Sequence, residues 1–62
     1  MFLIMNLCKT HPNMVVQVYS TPTEKLLYEG TLEDCPYRVC DLEIVRMESA
    51  CINGIDYVIH AD

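Results

Sequence analysis

Tryptophan is absent, phenylalanine occurs once, and glycine occurs only twice in the 62 residues. Each shortage excludes something. Gly30 and Gly54 lie too far apart to build a loop that cradles a phosphate with backbone amides. Lys9, Lys25, Arg38 and Arg46 are the only lysines and arginines, too few for the clustered cations that a nucleic-acid backbone demands. No apolar run approaches the roughly 20 residues of a membrane-spanning helix. The apolar start, Met1 to Cys8 broken by Asn6, has neither the basic flank nor the small-residue cleavage site of an export signal. The expectation is a cytoplasmic protein with no membrane association, no direct nucleic-acid binding and no cofactor. Met5 offers an alternative start to Met1.

What the chain does have is apolar mass, at 52% of its residues. A domain of this length buries only about 60% of the surface its unfolded chain exposes. Some apolar surface is therefore expected at a contact with another chain, most simply a twofold homodimer. The expected contact residues are Phe2, Leu3, Ile4 and Leu7, in an apolar N-terminal arm over residues 1–13.

Charge is lopsided. Residues 1–23 hold Lys9 and no acid, whereas from Glu24 onward nine acids face Lys25, Arg38 and Arg46, leaving −6. Such a surface suits a basic protein partner, and Glu29, Glu33, Asp34, Asp41, Glu43 and Glu48 are its candidate binding residues.

Cys8, Cys35, Cys40 and Cys51 make an even number, as a disulfide scaffold would. Without an export signal they are expected to be reduced and packed as small hydrophobes. Structural zinc sites take two thiolates from one tight turn. Cys35 and Cys40, separated by four residues across a helical turn, need not converge, and Cys8 and Cys51 stand alone in the sequence. The expected metal ligands are none. Catalysis finds no footing either: His60 falls on a charged strand face, away from any thiol that could act as its nucleophile partner.

The chain reads as one domain of α+β class, with a β-β-α-β-β unit over residues 14–60. The expected architecture is a small antiparallel sheet of about four strands with one short helix; the alternative is a small β-barrel. Met14 to Tyr19 and Lys25 to Glu29 are the first two strands, with Val16, Val18, Leu26 and Tyr28 facing the core. Thr31-Leu32-Glu33-Asp34 carries a helix-capping pattern. A short helix follows around Pro36 to Cys40 and points Val39 and Leu42 inward. The last two strands form a hairpin at Ile52-Asn53-Gly54, because Asn-Gly between β-branched runs is a strong turn signal. Face patterning favours a three-residue loop, with Cys51 opposite Ile55, Ser49 opposite Tyr57, Met47 opposite Ile59 and Val45 opposite Ala61. Arg46, Glu48, Asp56 and His60 then share the other face with Val58.

Val16-Gln17-Val18-Tyr19, Leu27-Tyr28-Glu29-Gly30-Thr31, Asp34-Cys35-Pro36 and Glu43-Ile44-Val45 together resemble short uncharacterised proteins of phages and mobile elements from anaerobic gut bacteria. The resemblance covers residues 14–60 and rests on turn and core positions, so no catalytic or binding residue comes with it. It implies a small accessory protein that binds and blocks a host protein, such as a defence component. The sequence expectation is accordingly a non-enzymatic protein-binding module. Its alternatives are an acidic nucleic-acid mimic that blocks a DNA- or RNA-binding protein, or a purely structural oligomer subunit.

Overall fold

The computed structural model describes residues 3–62. The elements run α1 (Ile4–Thr10), β1 (Val15–Ser20), β2 (Leu26–Thr31), a 3-10 turn (Leu32–Asp34), α2 (Tyr37–Cys40), β3 (Ile44–Ile52) and β4 (Ile55–Ala61). The four strands form one open sheet in the order β2-β1-β4-β3. Both hairpins are antiparallel, as their turn signals require, but they join through β1 and β4, which run parallel. The sheet is therefore mixed, and β2 and β3 remain as edges instead of closing a barrel.

Strict alternation fixes the central strands. Val16 and Val18 of β1, with Ile59 and Ala61 of β4, are fully buried on one face. The helical pieces supply the cover. Ile4 and Leu7 lie on one side of α1 at helical spacing, and they meet Leu32, Val39 and those four strand residues in a single core. Leu42 packs half-buried against it. The arm is thus a helix laid on the sheet, ended at His11, the residue before Pro12, whose backbone leaves the helical region at φ −134° and ψ 63°. Its first amide, Ile4 N–H, bonds Leu42 O at 3.1 Å, and Leu3 bridges Glu43. Thr31 caps the 3-10 turn in position only: its hydroxyl meets the Asp34 carboxylate at 3.4 Å and bonds no backbone amide.

The β3–β4 hairpin keeps the expected register at its centre, with Met47 opposite Ile59 and Ser49 opposite Tyr57. Its turn differs. Ile52 pairs with Ile55, so the loop is the two residues Asn53 and Gly54, both at positive φ (52° and 79°). That is the sign pattern of a type I′ turn, whose twist matches the strands. The mismatch between this loop and the core register is absorbed by a bulge, in which Ala50 and Cys51 oppose Asp56 alone. Cys51 takes φ 55° there and is exposed, so it does not face Ile55. A second bulge at Val45 lets Ile44, not Val45, meet Ala61, and leaves Val45 57% exposed. A third, at Leu27, pairs Leu26 with Tyr19 instead of turning it into the core.

Candidate functional site

Among the described residues no element lies over the face of the sheet opposite the helical layer, and its side chains line up in two rows. Across β2, β1, β4 and β3 the first row is Glu29, Gln17, Val58 and Glu48, and the second is Leu26, Tyr19, His60 and Arg46. On the central strands the rows follow from alternation: Gln17, Tyr19, Val58 and His60 each adjoin a buried residue such as Val18 or Ile59. In the second row the Tyr19 and His60 rings stack with centroids 6.1 Å apart. Arg46 Nη2 approaches His60 Nε2 at 3.4 Å, and Glu48 reaches both Arg46 Nε (3.6 Å) and His60 Nε2 (3.5 Å). Arg46 and Glu48 are more than half exposed, so their pairing contributes little to stability. A depression of about 540 Å³ opens beside them, lined by Tyr19, Thr21, Glu24, Val45, Arg46 and His60.

The edges of this face are apolar. Leu26 and Leu27 on β2 and Val45 on β3 are exposed large hydrophobics there, whereas Ile52, also exposed, pairs with buried Ile55 at the hairpin tip. Bulges are what turn Leu26 and Val45 outward, so alternation alone would not have found them.

The six acids expected to bind a partner do not share a surface. Glu29 and Glu48 stand in the first row of the open face. Glu33 and Asp34 belong to the 3-10 turn and Asp41 follows α2, all exposed on the helical side. Glu43 is half-buried where its backbone closes the hairpin against Asp62, with N–H···O bonds of 3.2 and 3.0 Å. Of the residues expected at a contact between copies, Ile4 and Leu7 are buried in the chain's own core and Leu3 is half-buried. Phe2 lies outside the described residues.

The helical side holds a second cluster that sequence spacing did not reveal. Cys8 of α1, Cys35 before α2 and Cys40 at its end bring their sulfurs within 4.8 Å of one another. The helical turn does converge Cys35 and Cys40, and packing of α1 over it adds Cys8. The Cys8 and Cys40 sulfurs are 3.4 Å apart, and Cys40 Sγ also lies 3.4 Å from Cys35 O. Burial, reinforced by a hydrogen bond and charge from Cys40, pushes the Cys8 thiol from 9.0 up to about 11. Burial also pushes the Cys35 thiol upward. A cavity of about 570 Å³ opens beside the three, with Met5, Asp34 and Tyr37 in its wall.

No protein-family model, curated protein or solved structure matches the chain. Among the described residues no helix is long and apolar enough to cross a membrane.

Proposed function

We propose that this chain is a non-enzymatic protein-binding module, whose open sheet face takes a partner protein with a basic surface. The observation that carries the reading is the one-sided cover: α1, the 3-10 turn and α2 all pack on one face, while the other presents Tyr19, His60, Arg46 and Glu48 between apolar edges. Aromatic, arginine and aliphatic side chains on a rigid sheet are the material of protein interfaces. The net charge of −5 selects the sign of the partner and speeds encounter with it. The resemblance to phage and mobile-element proteins supplies the context, a host protein bound and blocked. Division of the acids between two faces argues against the nucleic-acid mimic, which needs anions along one track.

The test is affinity capture from a bacterial lysate, then binding kinetics with the recovered protein. Reversing Glu29 and Glu48 to Lys is expected to slow association several-fold and leave dissociation nearly unchanged, with folding intact. Leu26→Thr and Val45→Thr are expected to speed dissociation. Capture that yields no protein, or association insensitive to charge reversal and to salt, rejects the reading. Displacement of the partner by DNA or RNA would favour the mimic instead.

A further inference from the structure

The cluster on the helical side has a geometry that packing alone does not require. Three separate pieces of backbone deliver a sulfur to the same point: α1 brings Cys8, the segment after the 3-10 turn brings Cys35, and the last residue of α2 brings Cys40. A metal bonded to sulfur at about 2.3 Å sets its thiolates roughly 3.8 Å apart in a tetrahedron and roughly 4.0 Å apart in a trigonal plane. The observed sulfurs bracket those values, from 3.4 Å for Cys8 and Cys40 to within 4.8 Å for the whole set. Side-chain adjustments of about 1 Å or less would bring all three onto one ion. None of the four cysteines is in a disulfide, and 3.4 Å is well beyond the roughly 2.05 Å of an S–S bond.

The surroundings suit an ion as well. Cys40 is buried and Cys8 and Cys35 are half-buried, so the sulfurs sit at the boundary of the core with one side open. That side is the cavity with Met5, Asp34 and Tyr37 in its wall. It gives an ion a route in and leaves a fourth position for water or the Asp34 carboxylate. A hydrophobic role would ask for volume at each of the three positions, but not for sulfur at all three or for an opening beside them.

We propose that Cys8, Cys35 and Cys40 form a three-thiolate site for one thiophilic metal ion, zinc(II) in the first instance. All-sulfur donors select soft or borderline ions and discriminate against magnesium and calcium. On binding, three metal–sulfur bonds form and the three thiols give up their protons to solvent. The ion then ties α1 to α2, fastening the layer that covers the sheet. The site is independent of the open face, and neither proposal rests on the other.

Reduced, chelator-treated full-length chain is titrated with zinc(II), with cadmium(II) as the spectroscopic probe of thiolate bonding, and examined by native mass spectrometry. The expected result is one ion per chain, a cadmium–thiolate absorption that saturates at one equivalent, and a melting temperature raised by zinc. Cys8→Ser, Cys35→Ser and Cys40→Ser should each lose stoichiometric binding, whereas Cys51→Ser should keep it. Circular dichroism of each metal-free variant separates a lost ligand from a lost fold, and Cys8→Ser, at a half-buried position where Cys40 is buried, is better placed than Cys40→Ser to stay folded. Copper(I) bound in place of zinc with the same cysteine dependence keeps the site and changes the ion. Absence of binding by the unmodified chain, full binding by folded Cys8→Ser, or loss on Cys51→Ser overturns the proposal.

Discussion

The two faces of the sheet are made from the same four strands but obey different constraints. On the covered face Val16, Val18, Ile59 and Ala61 are fully excluded from water, and each is held by helical residues from distant parts of the chain. On the open face Arg46, Glu48 and His60 contact one another in partial solvent, where charge pairs are worth little. Folding free energy is therefore concentrated on one side, which leaves the other free to serve a partner. Substitutions that respect this division should separate stability from binding, and the sharpest come from the covered side.

Ile59 is the strongest case. It lies at the centre of β4, fully buried, between Val18 and Met47. Ile59→Ala is expected to cost about 2–5 kcal/mol through lost burial and the cavity left behind. In so small a domain that approaches the whole stability, so urea denaturation should show a largely unfolded population before denaturant is added.

Gly30 is next. It faces Val16 on the covered side at φ 148°, and a methyl group there would meet the Tyr28 hydroxyl at 2.9 Å. Tyr28 cannot yield freely, because that hydroxyl donates to Thr31 O. Gly30→Ala is expected to cost roughly 1–3 kcal/mol in backbone strain and a displaced ring. Thermal melts would check it. A melting temperature unchanged within error would show that β2 adapts at this point.

Much of this division was legible in the residues, and the failures have physical causes. Alternation in Val16–Val18 and Tyr57–Ile59 identified the covered face, and Asn53-Gly54 placed the hairpin. The same patterning misplaced Leu26, Val45 and Cys51, all beside bulges on edge strands. An edge strand has one partner, so an extra residue disrupts a single ladder, and period-2 reasoning has no means of locating it. The parallel β1–β4 pairing was hidden for another reason: it joins residues some 40 positions apart and leaves no local turn signal. The thiol cluster was hidden likewise, because Cys8 reaches Cys40 only through the packing of α1.

The covered side also predicts a response to alkali. The unfolded Cys8 thiol loses its proton near 9.0, whereas the folded one holds it to about 11 because of burial and the neighbouring Cys40. Between those values the folded state binds more protons than the unfolded, so stability must fall as pH rises. The contribution is fully present below about pH 9 and is lost progressively toward pH 11. The raised thiol of Cys35 and the raised phenol of Tyr28 extend the same trend. Melting temperatures of metal-free, reduced protein across this range should decline less steeply in Cys8→Ala than in the unmodified chain. Equal slopes would mean that the Cys8 thiol is as well solvated folded as unfolded.

The open face supplies the smallest effect on stability and the most telling one on function. Val45 is 57% exposed at its bulge, and Leu26 is 47% exposed opposite Tyr19. Neither fills the core, so Val45→Thr and Leu26→Thr should each change stability by no more than about 0.5 kcal/mol. Threonine keeps strand propensity, which removes secondary-structure loss as an explanation for any change in binding. If this face binds a partner, the same variants should shorten the lifetime of the complex while denaturation midpoints stay fixed, since the apolar contacts of an interface act mainly on dissociation. A loss of stability beyond about 1 kcal/mol in either variant would show that these side chains support the fold, and that the two faces are less independent than their burial implies.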